Sequence, residues 1–368
     1  MKIGILGTRG IPNHYGGFEQ LAEKLSVALV QEGHSVVVYN SHKHPFKEKE
    51  WNGVAINHCY DAEHWMGTAG QFIYDLNCIR NAKKNAFDVI LFLGYTSNSV
   101  WRKWFPKNAV IISNMDGLEW KRNKYSNPVQ RFLKYAEKLA VKHSDYLIAD
   151  STVIQKYLSE KYKVVSRYIP YGADIVPVLA TEYLAAYTIT ARNYFMLMAR
   201  MEPENNIEMI LEGFHNSNSD KRFIVVGNTD NRFGRSMLKR FGNDKRMQFV
   251  GAIYESTVVH ALRSSCSMYF HGHSVGGTNP SLLEAMADKA PIAAHDNEFN
   301  RAVLNEDGYY FNSAADVQQL VESKYFDQSM IDNNLSKINS VYNWNVVGRQ
   351  YDEFIRLCYK EKNIAKTI

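Results

Sequence analysis

Three segments of the sequence carry residue types that suit the binding of a phosphorylated sugar or a nucleotide. The first runs from Gly7 to Glu19, between an apolar run and an amphipathic stretch. Glycines let the backbone approach a ligand closely, and the N-terminus of a helix favours an anion. The pair Gly16 and Gly17, directly before the amphipathic stretch, therefore predicts contact with an anion or a sugar. A plain connecting loop is the alternative interpretation.

The second segment begins at Arg200, just after the apolar run YFMLM. A guanidinium at the carboxyl end of a strand can hold a diphosphate through two parallel hydrogen bonds. A surface arginine ahead of a helix that starts at Pro203 is the other interpretation.

The third segment, HGHSVGGTNPSLLEAMA, joins a polar, glycine-rich loop to a helix predicted to begin at Leu282. Its small residues leave loop amides open to a sugar phosphate. Glu284, in the first turn of that helix, can accept hydrogen bonds from two ribose hydroxyls. Two histidines at i and i+2 without further ligands make a poor metal site, so we expect no metal here.

The elements that must position these segments follow one pattern twice. Apolar runs alternate with amphipathic stretches, which predicts an α/β fold with two Rossmann-like, doubly wound parallel sheets. A chain of 368 residues exceeds the usual size of one core. We expect a first domain at 1–175 with a returning helix in 344–368, and a second at 190–343. APIAAHD is predicted as the last strand. Open parallel sheets bind ligands at the carboxyl ends of their strands, where all three segments should lie.

Composition and spacing exclude several other classes. The net charge of +5 is too mild to indicate nucleic acid. The four cysteines form no C-x-x-C pair, which is typical of a reduced, cytoplasmic protein. No run approaches the length of a membrane span, and the N-terminus lacks the apolar length and cleavage site of a signal peptide, so we expect a protein that is neither exported nor membrane-spanning. Gly4, Gly7 and Gly10 do not have the G-x-G-x-x-G spacing of a dinucleotide site.

Taken together, the segments resemble retaining glycosyltransferase family 4, and within it a subgroup linked to rhamnosyl transfer. The matching pieces cover nearly the whole chain: GGFE, EGHSVVVY, MDGLEW, IPYGAD, AR-x-EPENN and HS-x-GGTNPSLLEAMA. The resemblance implies the GT-B fold, whose C-terminal helix crosses back onto the first domain. It also implies a nucleotide-sugar donor, a glycan or lipid-linked acceptor, and a role in surface polysaccharide biosynthesis.

The resemblance also assigns roles to single residues. Arg200 would contact the diphosphate and Glu284 the ribose. The remaining donor-binding positions would be Gly16, Gly17, Asn205, Gly227, Gly276, Gly277, Thr278 and Asn279. Two of these depart from the family pattern, because Gly276 replaces a glutamate and Asn205 replaces a lysine. A 6-deoxy sugar such as rhamnose would tolerate the less polar pocket that results.

The expected chemistry is stabilisation of the charge that builds on the departing diphosphate, by Arg200 and the loop amides. The sequence has no D-x-D motif, so we expect neither a metal nor another cofactor. If the reaction inverts the sugar, it needs a protein base, and Asp116 or Glu119 would be the candidates. Capping or surface roles are the alternatives for these two acids.

Two further hypotheses stay open at this stage. A protein of the same fold that binds a nucleotide or glycan without transfer would explain the two departures, and a phosphorylase-like or epimerase enzyme would share the fold. A basic, aromatic-rich stretch favours either a solvated helix face or peripheral contact with an anionic membrane at its inner face. Its basic residues are Lys121, Arg122, Lys124, Arg131, Lys134, Lys138 and Lys142.

Overall fold

The computed structural model describes residues 1–14, 16–122, 125–177, 181–323 and 326–367. They form two compact units, each described here by itself. The first unit comprises Met1–Trp120, Asn127–Tyr171 and Trp344–Ile368. The second comprises Lys121–Ser126 and Gly172–Asn343.

The first unit contains, among its described residues, an eight-stranded sheet in the order β3-β4-β2-β1-β5-β6-β7-β8. All neighbours are parallel except β3 and β4. The strands are β1 Lys2–Leu6, β2 Ser35–Ser41, β3 Glu50–Trp51, β4 Val54–Cys59, β5 Val89–Leu93, β6 Val110–Asn114, β7 Tyr146–Ala149 and β8 Arg167–Tyr168. Strands such as β5 are buried along their whole length, as expected for a parallel sheet covered on both faces.

The second unit contains, in its described part, a six-stranded parallel sheet in the order β11-β10-β9-β12-β13-β14. Its strands are β9 Tyr194–Met198, β10 Arg222–Val226, β11 Met247–Gly251, β12 Met268–His271, β13 Ile292–His295 and β14 Tyr309–Phe311. This is the strand order of a dinucleotide-binding sheet. The chain adds β10 and β11 on one side of β9 and then β12, β13 and β14 on the other, so the strand order reverses between β9 and β12.

The helices are numbered in chain order across both units. They are α1 Gly17–Gln31, α2 Glu63–Met66, α3 Gly70–Lys84, α4 Asn127–His143, α5 Thr152–Tyr162, α6 Ile207–His215, α7 Arg232–Phe241, α8 Ser256–Ser265, α9 Pro280–Ala287, α10 Glu298–Leu304, α11 Ala314–Glu322, α12 Gln328–Ser340 and α13 Trp344–Thr367. Short 3₁₀ turns occupy Gly67–Ala69, Ser99–Trp104, Glu119–Lys121, Thr181–Tyr187 and Pro203–Asn205. No helix in the described ranges has the length and apolar character needed to cross a bilayer.

The predicted α/β architecture with two parallel sheets is confirmed, but the last strand of the second sheet is not the predicted one. β14 pairs with β13 beyond the segment APIAAHD. With only three residues, β14 lacks the apolar run that marks the longer strands.

An aromatic cluster in the second unit fixes the strands that lead to its candidate site. Phe195 of β9, Phe223 of β10 and Phe270 of β12 are buried together with Phe214 of α6. The ring centroids of Phe214 and Phe223 lie 4.9 Å apart, and those of Phe223 and Phe270 lie 5.6 Å apart. This packing holds three neighbouring strands together and so supports the loops that follow them.

The C-terminal helix α13 packs on the first unit, as predicted, although it follows the second unit in the chain. Tyr351 is fully buried, and its hydroxyl accepts a hydrogen bond from Asn114 Nδ2 at 2.9 Å. Asp352 Oδ1 lies 2.6 Å from Nε2 of His34. Burial of one aromatic ring and a paired carboxylate therefore anchors the helix.

We expect Tyr351→Ala to lower the free energy of unfolding by about 3–5 kcal/mol, because it leaves a cavity under α13. Tyr351→Phe removes only the hydrogen bond and should cost about 1 kcal/mol. Urea unfolding followed by tryptophan fluorescence measures both. Leu357→Ala, on an exposed part of the same helix, is the matched control and should change stability by less than about 0.5 kcal/mol. Similar losses for Tyr351→Ala and Leu357→Ala would contradict this packing.

Candidate functional site

The second and third segments meet in the second unit, where its strand order reverses. Arg200 follows the carboxyl end of β9, and the loop from Gly272 to Asn279 follows β12. These two strands are direct neighbours. Ligands of open parallel sheets bind at such a point, so both segments lie where a ligand is expected.

The two segments are joined by a close crossing of their backbones. A Cβ atom on Gly272 would lie 1.9 Å from the carbonyl oxygen of Asn205, so only glycine fits at position 272. Asn206 Nδ2 donates to the Gly272 carbonyl at 2.8 Å, and Ser274 Oγ donates to the Glu204 carbonyl at 2.7 Å. The crossing fixes the position of the loop after β12 relative to β9.

Gly227 brings a third strand end to the same place. It follows β10, and a Cβ at this position would lie 2.3 Å from the carbonyl oxygen of Ala199, the residue before Arg200. The glycine thus lets the end of β10 pack directly against the backbone that carries Arg200. Gly227 thus lies next to Arg200, and its contact with a nucleotide stays a prediction.

Arg200 is exposed, and no carboxylate among the described residues forms an ion pair with it. Its backbone, in contrast, is held: Asn205 Nδ2 donates to the Arg200 carbonyl at 2.7 Å. Asn205 itself is buried. A fixed backbone with an exposed guanidinium is suited to binding an anion that enters from solvent.

The glycine-rich loop ends in a well-defined helix cap. Asn279 Oδ1 accepts from the backbone N–H of Ser281 at 3.0 Å, and Pro280 occupies the first helical position. Helix α9 therefore begins at Pro280, whereas the sequence pattern predicted a start at Leu282. The earlier start moves Glu284 to the second turn, which corrects its predicted place in the first. Gly276, Gly277 and Thr278, on the loop before the cap, are buried.

Glu284 is held by an arginine that sequence analysis missed. Arg263 Nη1 lies 2.6 Å from Glu284 Oε2, and Arg263 Nε lies 2.8 Å from Asp288 Oδ2. The Arg263 side chain is almost fully buried, whereas about a quarter of the Glu284 side chain remains exposed. A buried cation thus orients a carboxylate that still reaches solvent. An arginine within an apolar helix face was the only signal in the sequence.

Two histidines at the end of β12 are kept neutral by burial. Desolvation lowers the pKa of His271 to about 3 and that of His273 to about 4, and the charges of Arg122 and Arg200 add to the effect at His273. Both imidazoles are therefore uncharged at neutral pH. In the described part of the chain, no group of three His, Cys, Asp or Glu side chains is arranged to hold a metal ion.

The other predicted site residues lie in the first unit. Gly16 precedes α1 and Gly17 is its first residue, while their neighbour Tyr15 lies outside the described residues. A Cβ at Gly16 would make only an ordinary contact, 3.5 Å from Glu19 Oε2. The structure therefore places Gly16 and Gly17 in one unit and the predicted donor-binding residues from Arg200 to Glu284 in the other.

Asp116 lies in the first unit just after β6, and its Oδ2 accepts a hydrogen bond from the Tyr171 hydroxyl at 3.1 Å. Burial, followed by the nearby charge of Asp116, raises the pKa of Tyr171 well above its ordinary value. Tyr171 thus remains protonated and acts as the donor. Glu119 begins the short 3₁₀ turn that follows.

A cavity of about 340 Å³ opens in the first unit, where β1, β2 and β4 end. Its wall includes Arg9, Ser41, Asp61 and Glu63, together with Glu19. Arg9 Nε donates to Glu63 Oε2 at 3.0 Å, and Ser41 Oγ donates to Asp61 Oδ2 at 2.8 Å. Sequence analysis did not find this cavity, because Glu19 and the pair Asp61 and Glu63 lie on separate segments with no shared motif.

We expect acid to destabilise the second unit through His271 and His273. An unfolded histidine titrates near pH 6.5, well above the folded pKa of about 3 and about 4. Between about pH 4 and 6.5 the unfolded chain therefore binds protons that the folded chain does not. Stability is full above this window and falls as the pH falls, by about 1.4 kcal/mol per pH unit for each histidine.

Urea unfolding at several pH values across the window measures this slope. His271→Asn should reduce the slope by about one proton, whereas His14→Asn, at an exposed position of the first unit, should leave it unchanged. Identical slopes for the wild type and His271→Asn would show that His271 is not buried in its neutral form.

Each unit matches a known sequence family. Residues 182–336 match the family described as Glycosyl transferases group 1. Residues 1–174 match the Domain of unknown function (DUF1972). No curated protein matches the chain in sequence.

Solved structures share the fold over nearly the full length of the chain. Sucrose-phosphate synthase from Thermosynechococcus elongatus has a TM-score of 0.82 at 16% identity, covering 98% of this chain and 99% of that one. HepE from Anabaena, in complex with UDP and glucose, has a TM-score of 0.74 at 15% identity, with 97% and 99% coverage. The α,α-trehalose 6-phosphate synthase from Burkholderia multivorans has a TM-score of 0.74 at 12% identity, with 99% and 98% coverage. Residues 182–336 therefore form a glycosyl transferases group 1 domain, and the chain is a glycosyltransferase with the GT-B fold.

Proposed function

We propose that this glycosyltransferase moves a hexose, with rhamnose as the first candidate, from a nucleotide-sugar donor to a glycan or lipid-linked acceptor. The proposal includes retention at the anomeric carbon and a role in surface polysaccharide assembly. It is carried by the meeting of Arg200 with the loop after β12 at the point where the second sheet reverses its order. The resemblance to retaining family 4 supports the finer assignments.

The proposed role of Arg200 follows from the charge that the reaction creates. The bond between C1 of the sugar and a diphosphate oxygen breaks, and its electron pair leaves with the diphosphate. The acceptor oxygen bonds to C1, and its proton passes to a diphosphate oxygen. An exposed guanidinium on a fixed backbone, together with loop amides, stabilises the departing charge. We propose that no metal is needed for this step.

The ribose of the donor is proposed to lie at Glu284. Arg263 holds one of its carboxylate oxygens, so the side chain is oriented before the ligand arrives. A carboxylate can accept hydrogen bonds from both hydroxyls of a ribose, or from the single 3′ hydroxyl of the deoxyribose in dTDP. Such orientation by a buried partner reduces the ordering cost of binding.

The acceptor is proposed to use the cavity of the first unit. Glu19, Asp61 and Glu63 supply carboxylate oxygens there, which suit the hydroxyl groups of a neutral sugar. Gly16 lies near Glu19, one of the residues that line the cavity. Asp116 is kept as the proposed base in case the reaction inverts the sugar.

Contact with an anionic membrane is proposed for the exposed face of α4. Arg131, Lys134 and Lys138 are exposed on this helix, beside exposed Phe132 and Tyr135. Cations with interleaved aromatic rings suit the surface of an anionic leaflet. Lys124, which the sequence pattern grouped with them, lies outside the described residues.

Binding of nucleoside diphosphates tests the donor site. HepE is seen with UDP and with UDP-glucose, so UDP, UDP-glucose, dTDP and dTDP-rhamnose are the first probes. We expect one diphosphate to raise the melting temperature, with EDTA present or absent. Arg200→Ala should weaken that diphosphate about 10- to 100-fold in calorimetry, because a charged hydrogen bond is worth about 1.5–3 kcal/mol.

Arg222→Ala is the matched control for this experiment. Arg222 is also exposed, but it lies at the amino end of β10, whereas Arg200 follows the carboxyl end of the neighbouring strand β9. Its loss should leave affinity unchanged. Equal weakening by both substitutions, or no stabilisation by any probe, would contradict the proposed site.

Co-sedimentation with phosphatidylglycerol vesicles tests the membrane contact. The double variant Arg131→Glu, Lys138→Glu should bind at least tenfold more weakly, because each basic residue near an anionic surface contributes about 1 kcal/mol. The double variant Lys239→Glu, Lys245→Glu changes the same charge on exposed positions of the second unit and should bind as the wild type does. Equal binding of all three proteins would favour a solvated helix face.

A further inference from the structure

His273 lies on the loop between β12 and α9, within the candidate donor site. Its Nδ1 lies 2.9 Å from Oδ1 of Asn205. Its Nε2 faces Gly276, where an added Cβ would lie only 2.9 Å from that nitrogen. Gly276 also has a φ of +144°, which side-chain-bearing residues rarely adopt. The imidazole therefore fills the space that a side chain at position 276 would need.

The hydrogen bonds around Asn205 determine which ring nitrogen carries the proton. Asn205 Nδ2 donates to the Arg200 carbonyl, so the other end of the amide is the oxygen, which can only accept. His273 Nδ1 must then be the donor to Asn205 Oδ1. In a neutral imidazole the other nitrogen, Nε2, carries a lone pair.

The surroundings of His273 keep the ring in this neutral form. Burial lowers the pKa of His273 to about 4, and the positive charges of Arg122 and Arg200 act in the same direction. The Val275 carbonyl acts in the opposite direction but is the weakest of these influences. Nε2 is therefore an acceptor at neutral pH.

We propose that His273 binds the sugar part of the donor, by presenting Nε2 beside Gly276 as a hydrogen-bond acceptor for one sugar hydroxyl. Asn205 is the positioning residue that holds the ring in the required tautomer. This inference rests on the proposed function, since it names a contact within the same donor site. The ligand class it implies is a nucleotide sugar with a hydroxyl at this edge, and not a nucleotide alone.

The inference explains Gly276 and Asn205 as parts of one arrangement. A carboxylate at 276 and a histidine at 273 cannot both occupy this space, and an amide at 205 is what orients the imidazole. A neutral imidazole accepts one hydrogen bond where a carboxylate accepts several. The subsite therefore suits a sugar with fewer hydroxyls at this edge.

Calorimetry with UDP, UDP-glucose, dTDP and dTDP-rhamnose separates binding of the sugar from binding of the diphosphate. His273→Phe keeps a ring and removes the acceptor. It should weaken the bound nucleotide sugar five- to tenfold and change the matching diphosphate less than twofold. His273→Gln, which restores an acceptor, should recover part of the loss. His215→Phe, at an exposed histidine of the same unit, should change neither affinity.

The variant Asn205→Asp tests the positioning role through its pH profile. Its carboxylate still accepts from Nδ1 but favours a protonated ring, which would replace the acceptor at Nε2 by a donor. Affinity for the nucleotide sugar should then fall as the pH is lowered through the raised pKa of His273. The diphosphate should show no such pH dependence, although it should bind more weakly at every pH because the substitution removes the hydrogen bond to the Arg200 carbonyl. A wild-type-like pH profile would overturn the positioning role.

Equal weakening of sugar-bearing and sugar-free ligands by His273→Phe, or no weakening of either, would overturn the proposal for His273. Binding of the diphosphate by every variant would at the same time leave the proposed function standing. A wild-type protein that binds none of the four probes contradicts the proposed function, and this inference with it.

Discussion

Two stretches of backbone in the second unit cross so closely, at Asn205 and Gly272, that a side chain at position 272 has no room. This contact joins the segment after β9 to the loop after β12. Asn206 and Ser274 add hydrogen bonds on either side of the crossing. The position of Arg200 relative to the glycine-rich loop depends on it, and so does the orientation of His273. An alanine at 272 would have to separate the two segments that make up the site.

The sheet beneath this crossing explains why it lies at a site. β9 and β12 are adjacent although two strands, β10 and β11, and three helices, α6 to α8, separate them in the chain. Their connections leave in opposite directions across the sheet, which opens a crevice at the carboxyl ends. The buried rings of Phe195, Phe223 and Phe270 pack β9, β10 and β12 together. Packing of these buried rings within the sheet therefore supports the geometry of the polar groups at the site.

Much of this architecture could be predicted from the sequence, because buried parallel strands appear as apolar runs. YFMLM and RFIVV marked β9 and β10, and Arg200 could be placed from its position after such a run. The three residues of β14 carried no comparable signal, and the start of α9 was misplaced because the capping role of Asn279 was not recognised. Local patterns in the sequence thus predict most helices and strands, but not the contacts between them.

The contacts that give the site its chemistry could not be predicted from the sequence, because they join residues that are far apart in the chain. Asn205 and His273 are 68 positions apart, and Arg263 and Glu284 are 21 apart. The second of these pairs places a cation in the protein interior, where desolvation offsets much of the attraction between the charges. The pair of Arg263 and Glu284 is therefore better explained by the orientation that it gives Glu284 than by a contribution to the stability of the fold. The cavity of the first unit was missed for the same reason, since Glu63 meets Arg9 only in the folded chain.

Release of nucleoside diphosphate from a sugar donor is the decisive measurement. Purified protein would be offered UDP-glucose, dTDP-rhamnose and other nucleotide sugars one at a time, with and without a mixture of glycan and lipid-linked acceptors. A transferase should release the diphosphate of one donor slowly by hydrolysis and faster when its acceptor is present, with the sugar then found on the acceptor by mass spectrometry. Tight binding of a donor with no diphosphate released under any condition would contradict transfer and identify a protein that binds nucleotide sugars without turning them over.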